Sequence, residues 1–148
     1  MGEIRALERG DKQNWQKLWQ GYQAFYEVSI SPEVSEETFE RLLAPDEPMH
    51  CALAVEDGEP VGLVHYIFHR STWTRGDYCY LQDLFVDAAV RGRGTGRALI
   101  EHVREKAEAA GASRVYWLTQ EANHDARALY DKVAERSGFI QYRQVLGT

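Results

Sequence analysis

Residues 85–103, FVDAAVRGRGTGRALIEHV, place three glycines in five positions between a strand-like run and a helix-like run. No other stretch constrains the fold as strongly. A simple turn does not need Gly92, Gly94 and Gly96 interleaved with Arg91, Arg93 and Arg97. Glycine admits left-handed backbone and lets a ligand approach the amides without a Cβ in the way. Successive amides turned inward make an anion nest, and a helix starting near Thr95 adds its positive end. The stretch is therefore read as a pyrophosphate-binding loop. A Walker loop requires a Lys that is missing here. A dinucleotide G-x-G-x-x-G fits at Gly92 and Gly94 but puts Arg97 at the third glycine. That motif also opens a longer series of strand–helix units than the roughly one third of the chain that remains.

The flanking pattern predicts the elements around this loop. EIRALERGD gives a short strand with Asp11 as N-cap of the following helix. KQNWQKLWQGYQAFYE carries Trp15, Leu18, Trp19, Tyr22, Phe25 and Tyr26 as a helical stripe. SEETFERLL predicts a second helix capped by Ser35, ended by Pro45 and Pro48. CALAVEDGEPVGLVHYIFHR predicts a hairpin around Asp57-Gly58. DYCYLQDLFV predicts a third long strand. Leu99, Val103, Ala107 and Ala110 mark a helix closed by Gly111. SRVYWLTQE predicts a strand, NHDARALYDKVAERSG a helix with Asn123 as N-cap, and FIQYRQVL a last strand. The expected class is α/β: a mixed sheet in one domain, residues 1–148, with helices on both faces. The strands on either side of the glycine loop are expected to be parallel neighbours.

Composition narrows the function. A net charge of −6 argues against a broad nucleic-acid surface. No run approaches the roughly 18 apolar residues of a membrane span. The start MGEIRA has no signal pattern, and Cys51 and Cys79 lack metal or redox spacing. Buried free thiols and a cytoplasmic location are expected. The five histidines show no ligand spacing, so no metal site is expected.

The strand LQDLFV followed by Arg91-x-x-Gly94-x-Gly96 resembles the acetyl-CoA signature of the GNAT superfamily of N-acetyltransferases. YWLTQEANHDARALYDKVA resembles the family's later motif, an Asn at a helix start and a Tyr seven residues on. With STWT and YLQDLFV, the chain looks closest to the diamine and histone/polyamine acetyltransferase-like branch. The resemblance implies a mostly antiparallel sheet with a splayed parallel strand pair, and an acetyl-CoA-dependent enzyme. It implies that Leu84, Phe85 and Val86 run beside the pantetheine arm, with an amide near Phe85 or Val86 as oxyanion donor. Cofactor contacts are expected from Arg91, Gly92, Arg93, Gly94, Thr95, Gly96, Arg97, Asn123, Ala126 and Tyr130. Tyr130 is the expected acid for the departing thiolate; on its own it would read as a packing Tyr.

Tyr26, Glu27 and Gln82 are the expected amine-site residues. Gln82 stands where the diamine branch commonly has Glu, so no carboxylate base is available at that position. Asp83 is expected to point to the opposite sheet face by strict alternation. Glu27, His65, His69 or a water chain remain as bases. The leading expectation is acetylation of a primary amine on a small molecule, a polyamine, amino acid or similar, by direct attack in a ternary complex. The alternatives are a protein lysine or N-terminal acetyltransferase and a silent CoA-binding sensor. Only ten residues follow Gly138, so a homodimer with FIQYRQVL near the interface is expected.

Overall fold

The structure, a computed structural model, describes residues 2–147. The chain forms two compact units, one ending at Leu118 and one beginning at Thr119. The first contains β1 (Gly2–Ala6), α1 (Lys12–Phe25), α2 (Pro32–Leu43), β2 (Met49–Glu56), β3 (Glu59–His69), β4 (Tyr78–Val86), α3 (Thr95–Ala109) and β5 (Arg114–Tyr116). The second contains α4 (His124–Val133). The sheet keeps chain order, β1-β2-β3-β4-β5. Its first four strands pair antiparallel, and β4 and β5 pair parallel across the α3 crossover. The mixed α/β class agrees with the sequence.

Local chemistry accounts for the joints. Asp57 and Gly58 both take left-handed φ, 52° and 80°, as a two-residue hairpin turn between β2 and β3 requires. Asp11 precedes α1 but does not cap it with its side chain. Its carboxylate instead takes the Arg5 guanidinium through two 2.8 Å hydrogen bonds and the Glu8 N–H at 2.7 Å. The second helix starts one turn earlier than its sequence suggests. Ser31, not Ser35, is the cap: its Oγ accepts from the Val34 N–H at 3.2 Å. Pro32 follows in the first turn, where its missing N–H leaves no bond unmade.

The two sheet faces are covered by different helices. Trp15, Leu18 and Trp19 of α1 and Phe39 and Leu42 of α2 pack with Cys51, Leu53, Val55 and Leu63. Phe39 is wholly buried, and truncating such a side chain costs roughly 3–5 kcal/mol. On the other face a Cβ at Gly62 would lie 3.3 Å from Leu99 Cδ1, so α3 packs where Gly62 points. Leu99, Val103 and Ala107 are its buried stripe. Cys51 and Cys79 are both buried free thiols.

Toward the C-terminus the elements are shorter than the sequence suggests. β5 covers only Arg114–Tyr116 of SRVYWLTQE, and α4 stops at Val133. FIQYRQVL is not a strand: residues 139–147 carry no regular structure, which corrects the expectation. A strand exists only where a neighbour takes its N–H and C=O groups, and among the described residues no strand pairs with this one. Phe139, Ile140, Tyr142, Val145 and Leu146 stay exposed along it.

Candidate active site

The parallel pair opens partway along. β4 pairs with β5 at Tyr78–Arg114, Cys79–Val115 and Tyr80–Tyr116, and there the ladder ends. From Leu81 to Val86 the β5-side edge of β4 has no strand partner among the described residues. The ladder ends where the family resemblance implies a splay, and Leu84, Phe85 and Val86 have no strand partner on that side among the described residues. The end of β4 is held firmly on its α1 side. The Phe85 ring fills the space above Gly21, where a Cβ would come within 2.7 Å of it. Arg91 reaches back to donate from Nε to the Val86 carbonyl at 3.0 Å and lies 5.2 Å from the Phe25 ring centroid.

Beyond Arg91 the backbone turns twice through the left-handed region, at Gly92 (φ 85°) and Gly94 (φ 84°), before α3 begins at Thr95. No protein atom lies within 4 Å of a Cβ built on either glycine, so the requirement for glycine within the protein comes from φ alone. Gly94 offers no side-chain cap, and the first N–H groups of α3 are the ones that a helix leaves unpaired. The arginines divide their work. Arg93 pairs with Glu56 at 3.1 Å and ties the loop to the end of β2. Arg97 is exposed on the first turn of α3. A loop with two αL glycines, an uncapped helix start and an open strand edge fits a ligand with phosphates and an extended arm.

On the α1 side of the sheet lies a cavity of about 480 Å³ whose walls include Trp19, Tyr22, Leu42, His65, Gln82 and Asp83. Gln82 lines this cavity. Asp83 shares it, contrary to strict alternation. The reason is a bulge. Asp83 pairs with His65 and Leu81 with Tyr66, so Gln82 is an extra residue on β4 with no opposite number on β3. Phase shifts by one there, and Gln82 and Asp83 both line the cavity.

Asp83 is buried within a polar chain. Its Oδ2 lies 2.9 Å from His65 Nδ1, and the Trp15 indole N–H donates to His65 Nε2 at 3.0 Å. Burial, then the Asp83 charge, raises the Tyr22 phenol far above its ordinary pKa. The same two causes, in the same order, raise Tyr26. Burial, Asp83 and Tyr116 raise Tyr80. Three phenols thus stay protonated around one carboxylate. Tyr26 caps the end of α1 and its ring packs 4.8 Å from that of Tyr22. Glu27 follows in a left-handed conformation, φ 55°, and is exposed; it is not itself part of the cavity lining, which its neighbour Val28 joins. His65 has both ring nitrogens engaged, so it cannot take a proton without breaking the Trp15 bond. His69 is exposed and bonds the Arg70 carbonyl and the Tyr116 hydroxyl.

In the second unit, Asn123 caps α4, its Oδ1 accepting from the Ala126 N–H at 3.4 Å. Ala126 and Tyr130 follow at helical spacing on α4, both half-buried. Asp83 is the site residue that a reading by alternation misses; Tyr22, on α1, and Tyr80, two before Gln82 on β4, are further site residues that the sequence reading does not single out. The available signal was Gln82-Asp83 itself, two adjacent polar residues inside an apolar strand.

Residues 15–134 match the Acetyltransferase (GNAT) family. The D-amino-acid N-acetyltransferase of Saccharomyces cerevisiae is 38% identical over 143 residues, 95% of this chain and 89% of that protein. Thialysine N-epsilon-acetyltransferase of Bos taurus is 31% identical over 136 residues, 86% of this chain and 79% of that protein. The solved structure of AAC(6')-Iy in complex with the bisubstrate analogue CoA-S-monomethyl-acetylneamine superposes with a TM-score of 0.85, covers 99% of both chains, and is 18% identical, which shows a shared fold. The loop, the open parallel pair and the relatives together place this chain in the GNAT family of acetyltransferases, as an enzyme that transfers acetyl groups to amines.

Proposed function

We propose that the enzyme moves an acetyl group from acetyl-CoA to the primary amine of a small molecule by direct attack within a ternary complex. The observation that carries this reading is the cavity with a buried carboxylate, Asp83, next to Gln82. A protonated amine is drawn to such a carboxylate by a charge-assisted hydrogen bond. The named substrates of the relatives, a D-amino acid and thialysine, both carry amines and are small, which supports a metabolite over a peptide. The bisubstrate analogue held by AAC(6')-Iy supports CoA as the donor's carrier.

In this reading Gly92 to Arg97 hold pyrophosphate with backbone amides and the start of α3, and the edge of Leu84, Phe85 and Val86 holds the extended arm. Acetyl-CoA would supply the activated acetyl thioester. The amide of Phe85 or Val86 donates a hydrogen bond to the oxygen that gains charge, a contribution of the kind worth ~10²–10³ in rate. Asn123 and Ala126 contact the arm, and Tyr130 gives its phenolic proton to the departing thiolate. Tyr26 and Gln82 shape the amine site. Glu27, exposed, acts at its mouth. The amine's proton leaves through water, since His65 is engaged at both nitrogens.

We further propose a cytoplasmic homodimer in which the exposed apolar side chains of residues 139–147 are covered by the second copy. A monomer by light scattering at micromolar concentration would remove the dimer. The activity is tested by thiol release from acetyl-CoA against amines, amino acids and lysine peptides. Turnover with small amines or amino acids is expected. Turnover with peptides alone, or acetyl-CoA binding without thiol release, would overturn the reading.

A further inference from the structure

We propose that Trp15 and His65 are positioning residues for the acceptor amine: together they fix the direction in which the Asp83 carboxylate faces the cavity. This rests on the amine-acetylating reading given above.

The geometry leaves one assignment of protons. An indole N–H can only donate. Trp15 Nε1 lies 3.0 Å from His65 Nε2, so Nε2 must present its lone pair. The ring proton of the neutral imidazole is then on Nδ1. Nδ1 lies 2.9 Å from Asp83 Oδ2, so the imidazole donates and the carboxylate accepts. One oxygen of Asp83 is pinned to the core, and the carboxylate plane is set for an incoming donor.

The chain is built into rigid parts. Trp15 is wholly buried, with its ring 6.0 Å from Trp19 and 5.3 Å from Phe39. Trp19 meets the His65 ring edge-on at 4.9 Å. His65 and Asp83 face each other in the β3–β4 register, directly beside the bulge. Tyr22 reaches the same carboxylate, so without the donor from His65 the Tyr22 side alone would set the direction of Asp83. A neutral imidazole has one donor and one acceptor, and Asp83 and Trp15 satisfy one each. A charge held still in a cavity selects ligands by where their cation sits, so the acceptor class is an amine that is cationic before reaction.

Two measurements test this. The first is nitrogen NMR of the full chain labelled at histidine. We expect His65 to show a lone-pair nitrogen at Nε2 and a protonated Nδ1. The opposite tautomer would overturn the proposal. The second is steady-state kinetics of His65→Leu, His65→Gln and Trp15→Phe. Losing a hydrogen bond to a charged group should raise the acceptor KM roughly tenfold or more in His65→Leu. The acetyl-CoA KM should stay put and kcat at saturating amine should fall far less. His65→Gln can donate to Asp83 and accept from Trp15, and should recover most of the acceptor KM. Trp15→Phe should show the same split, more mildly. A parallel change in kcat and both KM values, or a Gln variant no better than Leu, would overturn it. If Trp15→Phe does not fold, the His65 pair and the NMR decide. Failure of the amine-acetylating reading itself would be seen in the unaltered enzyme, as no thiol release with any amine.

Discussion

Asp83 Oδ2 and His65 Nδ1 lie 2.9 Å apart across the β3–β4 pair, and this contact joins the floor of the cavity to the aromatic core behind it. The carboxylate belongs at once to the packed interior and to the candidate site. The predictions below separate those two roles.

Asp83→Asn keeps an oxygen for the His65 N–H and removes the charge. The KM for the acceptor amine should rise by about ten- to a hundredfold, the size of a lost charge-assisted hydrogen bond. The thermal midpoint should change little. Steady-state kinetics with the best amine from the panel measure it, and an unchanged KM would take Asp83 out of amine binding.

Tyr130→Phe removes one hydroxyl from α4. If that hydroxyl protonates the thiolate, kcat should fall ~10²–10⁴-fold with acetyl-CoA affinity retained. Binding by calorimetry and turnover by thiol release give the two halves of the test. Wild-type turnover would assign Tyr130 to packing.

Gly94→Val places a β-branched side chain at φ 84°. Left-handed backbone costs such a residue about 1–2 kcal/mol or more. We expect a lower thermal midpoint and a raised acetyl-CoA KM, with the amine KM unaffected. Equal damage to both KM values would mean that the loop supports the whole site and not the donor alone.

Gly21→Ala would set a methyl group within 2.7 Å of the Phe85 ring. Overpacking of this kind typically costs about 1–3 kcal/mol. Denaturant unfolding should show the loss, and Phe85→Leu in the same chain should restore part of it. Full stability in Gly21→Ala would show that the ring moves aside freely.

Stability should also fall in alkali. Burial pushes the Tyr66 phenol up to about 12, and burial with the Asp83 charge raises Tyr22, Tyr26 and Tyr80. A phenol raised on folding stabilises fully below its unfolded value, about 10, and loses that contribution as pH rises through the folded value. Thermal midpoints should hold up to about pH 10 and drop above it, with phenolate absorbance appearing as the chain unfolds. On the acid side the sign reverses. Arg5 holds the Asp11 carboxyl below its ordinary range. Its contribution is present above the unfolded value and lost as pH falls through the folded one.

The legible parts of the sequence were those set by a residue's own backbone needs. Asp57-Gly58 announces its turn, and Gly92 and Gly94 announce theirs, because φ is a local property. The stripe Leu99–Val103–Ala107 announces α3 by period. Ser31 was obscured by Ser35, since both precede helix-forming residues and only the Pro32 after Ser31 separates them. Asp83 was misplaced because a bulge is a property of two strands, and nothing within YLQDLFV states its register against β3. FIQYRQVL has the composition of a strand, but a strand also needs a neighbour, and composition does not supply one.

The bulge at Gln82 has a practical consequence for anyone redesigning the acceptor. It divides β4 into two short rulers whose marks are offset by one residue, Tyr78 to Leu81 and Asp83 to Val86. Side chains copied from a relative with an unbroken strand would land inward on one ruler and outward on the other. Deleting Gln82 would restore the alternation and leave Asp83 opposite His65, taking from the cavity only the amide beside the carboxylate.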